Sequence, residues 1–131
     1  TVVAIDASER ALDVARNRTD TVRWICGAVP DDLPEETFDA IILSEIGYFL
    51  DGLELTATLR RVRRQLTARG EIVLAHWRGR TAGIPLDGAA VHAQAAALLD
   101  LPSRARYTDV DLRVEVWGEP VSVYREYRGA S

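Results

Sequence analysis

The sequence predicts an α/β fold: a mostly parallel sheet with helices beside it, closed at the C-terminal end by an antiparallel hairpin. Three observations predict it. Short apolar runs end abruptly at Asp, Gly or Ser. Capped amphipathic stretches separate those runs. The last two extended segments are joined by a turn too short for a parallel crossover.

Each element has a local cause. Val2-Val3-Ala4-Ile5 is fully apolar and stops at Asp6, the pattern of a strand buried on both faces. Ser8 then caps a helix with Ala11, Leu12 and Ala15 on one side and Glu9, Arg10, Asp13 and Arg16 on the other. Val22–Cys26 forms a second strand closed by Gly27, and a loop with Pro30, Asp31, Asp32 and Pro34 follows. Phe38–Leu43 is the third strand. Asp51 opens a long helix reaching about Leu66, with Leu55, Leu59, Val62 and Leu66 as its inner stripe. Gly70 breaks that helix, and Glu71–His76 is the fourth strand. Asp87 caps a helix to about Leu99, ended by Pro102. Arg104–Thr108 and Leu112–Trp117 pair across the Asp109–Asp111 turn. Val121–Tyr127 alternates weakly and is left open between a strand and a loose tail.

Composition excludes several function classes. The chain has 131 residues, 47% apolar and 27% charged, enough for one domain core and too few for two. Its net charge is −4, and every base is Arg, so it lacks the basic excess that a phosphate-coated polymer requires. The Arg60–Arg64 cluster reads as a solvated helix face. No apolar run approaches the roughly 20 residues that cross a bilayer, and no charged-then-apolar stretch opens the given sequence, so neither a membrane span nor a secretion signal is the expectation. One cysteine forms no internal disulfide, which sets a reducing, cytoplasmic location as the expectation. Cys26 reads as a small buried hydrophobe. Two histidines and one cysteine assemble no closed zinc set, and neither a phosphate loop nor a nucleophile elbow occurs. A chain without Met that enters a strand directly at Thr1 looks like part of a longer one.

Four segments together resemble the class I S-adenosylmethionine-dependent methyltransferases. They are Val-Val-Ala-Ile-Asp-Ala-Ser at 2–8, Leu33-Pro34 before Phe38–Glu45, Ala68–Leu74 after a helix, and the closing hairpin. Leu74–Arg78, Pro85–Gly88 and Val91-His92 narrow the likeness to the subgroup of nodulation-type N-methyltransferases, which methylate an amino sugar of a chitooligosaccharide. The resemblance implies a Rossmann-like fold lacking its first strand and Gly-rich loop, which would precede Thr1. Residues 1–131 then correspond to the C-terminal two-thirds of a single methyltransferase domain. Such a piece is expected to be poorly folded, and inactive, by itself.

The same resemblance implies S-adenosyl-L-methionine as cofactor and a small-molecule or oligosaccharide acceptor, with no nucleic-acid or membrane partner. Asp6 ends a strand where an open parallel sheet exposes its ligand edge, and a carboxylate there accepts ribose hydroxyls; the plain alternative is a helix-cap aspartate. Ala7 adjoins it. Gly27, Ala28 and Val29 stand where the family wraps the adenine, but the acid that many members place there is absent unless Asp31 or Asp32 supplies it. Ser44, Glu45 and Tyr48 end the third strand, beside the expected methyl position. Glu45 can hold an amine, accept its proton or complement a sulfonium, or simply cap the next helix. His76 ends the fourth strand, where an imidazole can orient or deprotonate an acceptor. Trp77 offers a flat face to a sugar ring, and His92 is a second acceptor candidate. Tyr107 and Trp117 are assigned to packing. Glu45 and His76 are thus the catalytic candidates; Asp6, Ala7, Gly27, Ala28, Val29 and Ser44 the cofactor candidates; Tyr48, Trp77 and His92 the substrate candidates.

Three rivals stay open: an O-methyltransferase of another metabolite, a nicotinamide-dependent oxidoreductase, and a scaffold domain that has lost its cofactor. Asp6 alone does not separate a methyltransferase from a nicotinamide-dependent enzyme, which uses the same device. The closing hairpin favours the methyltransferase over the oxidoreductase.

Overall fold

The computed structural model describes residues 1–80 and 82–122. The chain divides into two compact units, Thr1–Glu35 and the part from Glu36 onward.

In the first unit, β1 (Val2–Asp6) and β2 (Val22–Cys26) pair in parallel, from Val2 opposite Val22 to Asp6 opposite Cys26. A parallel pair needs a crossover, and α1 (Glu9–Arg16) provides it. The helix starts where Ser8 is extended and its Oγ accepts the Ala11 N–H at 3.2 Å. Arg16 pairs with Glu9 at 2.7 Å and Asp13 at 3.1 Å, all exposed, so these pairs add little stability. Leu12 is the buried residue of α1.

Two expectations are corrected here. β1 is not buried on both faces: its ends are exposed and its middle half-buried. A two-stranded sheet has two faces, and this unit has one helix to cover them. Cys26, expected to be buried, is exposed at the end of β2. The hydrogen bond that its thiol donates to the Glu9 carboxylate is the main reason its pKa is raised.

The second unit holds a four-stranded sheet in the order β3-β4-β6-β5. β3 (Phe38–Ser44) runs parallel to β4 (Leu66–Trp77). β6 (Leu112–Gly118) lies antiparallel to β4 and to β5 (Ser103–Thr108). α2 (Gly52–Gln65) connects β3 to β4, and α3 (Gly88–Leu99) follows β4. The alternation of β4 decides where the core sits: Ile72, Leu74 and His76 are each fully buried, and the residues between them only half so. Leu55, Leu59, Val62, Val91, Ala95 and Leu99 of the two packed helices complete that core, with Trp117 of β6. The other face is less covered, and Ile42 there is 67% exposed.

Asp51 and Asp87 cap α2 and α3 as expected. Asp51 builds a full capping box: its carboxylate takes the Leu53 and Glu54 N–H groups, and Glu54 takes the Asp51 N–H. The start of β4 differs from expectation. It begins at Leu66 rather than Glu71, because Leu66 pairs with Phe38 and a register irregularity absorbs the residues before Glu71. Gly70 lies inside this strand, where a Cβ would stand 2.7 Å from Leu66 Cδ1 and 3.0 Å from the Asp39 carbonyl. Tyr107, assigned to packing, is 56% exposed, since β5 is the edge strand among the described residues; Trp117 is 3% exposed and packs as expected. Most of the weakly alternating segment 121–127 lies outside the described residues. Among the described residues no helix is long and apolar enough to cross a membrane.

Candidate active site

The strand ends present two groups of candidate residues, one in each unit. In the first, Asp6 is exposed at the end of β1, and its Oδ1 accepts the Ser8 N–H at 2.7 Å. Its other carboxylate oxygen has no hydrogen bond among the described residues. Asp6 therefore shapes the entry to α1 and still presents an acceptor. Ala7 and Ala28 are exposed and Val29 half-buried. The Gly27 N–H donates to the Asp6 carbonyl at 3.1 Å, extending the ladder by one rung. The Ala28 N–H donates to Asp32 Oδ2 at 2.9 Å. Asp32 crowds Gly27 so closely that a Cβ there would lie 2.5 Å from its own Cβ. Glycine at 27 is what lets the Asp32 carboxylate fold back over the turn.

In the second unit Ser44 ends β3, exposed. Glu45 follows with φ +56°, a left-handed conformation uncommon outside glycine. Its N–H still donates to the Ala75 carbonyl at 2.9 Å, so the kink comes directly after the last rung of the β3–β4 ladder. The turn aims the carboxylate across to β4: Oε1 accepts the Trp77 N–H at 2.7 Å, and Oε2 accepts the Tyr48 hydroxyl. Tyr48 belongs to a single 3-10 turn, Gly47–Phe49, and is 7% exposed. Burial first, then the Glu45 hydrogen bond and charge, push its phenol pKa up to about 12. Trp77 is 38% exposed at the end of β4.

His76 does not face outward. It is fully buried, its Nε2 accepts the Gly47 N–H at 3.1 Å, and its Nδ1 lies 3.1 Å from His92 Nε2. His92 is 1% exposed, with its Nδ1 3.0 Å from Glu115 Oε1. Burial lowers the pKa of both imidazoles, that of His76 to about 4. Both are neutral at pH 7, so the His92–Glu115 contact is a hydrogen bond and not an ion pair. In this arrangement neither ring has a nitrogen left for an acceptor. The base expected at His76 and the acceptor contact expected at His92 give way to an internal hydrogen-bond chain, because α3 covers this face of β4.

Gly47 and Glu115 escaped the sequence reading. Gly47 is required where it stands: a Cβ would lie 2.5 Å from Val91 Cγ1 and 3.0 Å from His76 Nε2. The period-2 alternation of β6 already puts Glu115 on the face of Trp117, a charge where a hydrophobe is expected.

Parallel strand pairs joined by helices, with an acid at or just after a strand end in each unit, are features shared with the class I S-adenosylmethionine-dependent methyltransferases. Residues 1–70 match the methyltransferase domain family, and the chain belongs to it. Among solved structures it is similar to a Pseudomonas syringae protein assigned to the methyltransferases, with 28% identity, a TM-score of 0.75, and coverage of 88% of this chain and 70% of that one. It is also similar to the N-methyltransferase NodS of Bradyrhizobium japonicum WM9 in complex with S-adenosyl-L-homocysteine (19% identity, TM-score 0.76, 91% and 66% covered). A third is the glycopeptide N-methyltransferase MtfA (13% identity, TM-score 0.67, 91% and 74% covered). At those two identities the likeness is one of fold. No curated protein matches in sequence.

The family's cofactor is S-adenosyl-L-methionine, and the residues of the first unit fit part of it. Asp6 keeps one carboxylate oxygen for a ribose hydroxyl. Ala28 and Val29 offer small apolar surface suited to a purine. The Gly27 and Ala28 N–H groups, by contrast, are already engaged within the unit.

Proposed function

We propose that residues 1–131 form the C-terminal two-thirds of a single methyltransferase domain that methylates a nitrogen of a small-molecule or saccharide acceptor in the cytoplasm. S-Adenosyl-L-methionine, when bound, supplies the electrophilic methyl on its sulfonium. In this reading Asp6, Ala7, Gly27, Ala28 and Val29 of the first unit hold that cofactor, with Asp6 on the ribose, and Ser44 stays a cofactor candidate of the second.

The observation that carries the acceptor side is Glu45, held in a left-handed conformation with its carboxylate aimed by the Trp77 N–H and the Tyr48 hydroxyl. Strained backbone kept at a strand end is a recurrent mark of working sites. A carboxylate fixed in this way attracts a protonated amine, orients it, and takes up its proton before the nitrogen lone pair attacks. Tyr48 keeps its own proton to high pH and serves as the donor that fixes Glu45. Trp77 offers an apolar face to a sugar ring. His76 holds the Gly47 turn from behind and takes no proton from the acceptor.

The test, on the full-length protein that contains residues 1–131, is transfer of labelled methyl from S-adenosyl-L-methionine to a partly deacetylated chitooligosaccharide, beside simple amines and phenols. Amines should be methylated, with a rate that rises with pH and then levels off as the bound nitrogen loses its proton. Glu45→Gln should lower kcat at least about tenfold. Transfer confined to phenols or carboxylates would sink the nitrogen assignment. Asp6→Ala should weaken S-adenosyl-L-homocysteine binding at least about tenfold in calorimetry, through the loss of charge-assisted hydrogen bonds. Unchanged affinity with a lowered Tm would reduce Asp6 to a cap of α1.

A further inference from the structure

Four side chains of the second unit form one line: His76, His92, Glu115 and Arg106. The first three are buried, with exposures of 0%, 1% and 2%. Glu115 Oε2 accepts from Arg106 Nε at 3.1 Å and Nη2 at 3.0 Å, and Arg113 Nη1 lies 3.9 Å from Oε1. Arg106 is 59% exposed, so the line runs from solvent to the back of the 3-10 turn.

The proton positions along it follow from one end. A backbone N–H only donates, so His76 Nε2, which receives the Gly47 N–H, carries no proton. A neutral His76 then carries its proton on Nδ1 and donates to His92 Nε2. His92 in turn carries its proton on Nδ1 and donates to Glu115 Oε1. Every ring nitrogen and carboxylate oxygen in the line is satisfied in this one arrangement. The Nε2–H form, the commoner tautomer of free imidazole, would oppose a proton to the Gly47 N–H. Glu115 selects against it: as a carboxylate it only accepts, and Arg106 holds it in place.

The turn so held lies between the two ends of the Glu45–Tyr48 hydrogen bond. Gly47 sits against His76 and Val91 with no room for a Cβ, and the Tyr48 ring meets the His76 ring edge-on at 5.5 Å between centroids. Any shift of His76 is therefore felt by the residues that aim the Glu45 carboxylate. We propose that Glu115, acting through His92 and His76 locked as Nδ1–H tautomers, is the positioning residue for the Glu45–Tyr48 pair. The inference rests on the reading that this strand end receives the methyl acceptor.

Long-range proton–nitrogen correlation on the 15N-labelled full-length protein reads the tautomers directly, with His76 and His92, the two histidines of residues 1–131, assigned by single substitution. Both should be Nδ1–H at pH 7. Glu115→Leu should return them toward the Nε2–H form, speed exchange of the Gly47 amide at least about tenfold, and lower kcat with little change in the donor KM. Glu115→Gln, whose amide oxygen still accepts from His92, should restore the tautomers and most of the kcat. If Glu115→Leu does not fold, the wild-type tautomers and the Gln variant decide the matter. An Nε2–H or protonated His76 in the wild type overturns the proposal, as do unchanged Gly47 exchange and kcat in a folded Glu115→Leu. Expected tautomers and exchange in a protein that methylates no amine uphold the hydrogen-bond line and overturn the acceptor reading instead.

Discussion

Glu45 and Gly47 stand two residues apart and solve opposite steric problems. Glu45 has a side chain in a backbone region that disfavours one, and its two carboxylate contacts offset the strain. Gly47 has ordinary room in its dihedral angles and none in space, with Val91 Cγ1 2.5 Å from where a Cβ would be. Gly47→Ala should therefore destabilise the fold by about 1–3 kcal/mol through overpacking, read as a lower urea midpoint with an unchanged m-value. An unaffected midpoint would mean that α3 yields freely at Val91, and that the turn is looser than its contacts imply.

At the scale of elements, the helices are set by their first turns. The reciprocal bonds of Asp51 and Glu54 satisfy three N–H groups that α2 would otherwise leave open. Asp51→Ala should cost about 1 kcal/mol of stability, within the usual range for a lost cap. Thermal unfolding checks it, and because the cap lies on α2 the two imidazole tautomers should be untouched. The strands follow different rules. β4 takes a partner on each side, parallel β3 and antiparallel β6, and each bonds it along most of its length. Among the described residues β5 bonds only β6, and its residues are all exposed. The Asp109 carboxylate holds the hairpin turn by accepting from the Asp111 and Leu112 N–H groups, which are, with the Tyr107 hydroxyl, the reason its pKa is lowered.

For the molecule as a whole, the buried imidazoles make stability depend on pH. His76 titrates near 6.5 when unfolded and at about 4 when folded, because burial opposes its charged form. Between those values the unfolded chain binds more protons, so stability rises with pH across that window. The contribution is complete above about pH 6.5 and is lost as pH falls toward 4. For His76 alone the loss amounts to at most ~3 kcal/mol, and His92, shifted the same way, adds to it. Urea unfolding at pH 7 and pH 5 should show this fall, and a variant with Gln at both positions should flatten it. A flat wild-type profile would mean that the histidines reach water in the folded state.

Much of this was legible in the residues themselves. Ser8, Asp51 and Asp87 announced three helices, the stripe of Leu55, Leu59 and Val62 announced the inner face of α2, and Asp109–Asp111 announced the hairpin. Each depends on groups within a few residues of one another, and local chemistry is what a sequence displays. The start of β4, the exposure of Cys26 and Tyr107, and the inward turn of His76 were not legible, since each depends on how many neighbours the fold brings up. The hydrogen-bond line is the clearest case. His76, His92 and Glu115 lie 16 and 23 residues apart on a strand, a helix and another strand. The sequence by itself determined that two histidines and an acid fall on apolar faces; only the packing of α3 across β4 and β6 brought them into contact and closed their nitrogens to solvent.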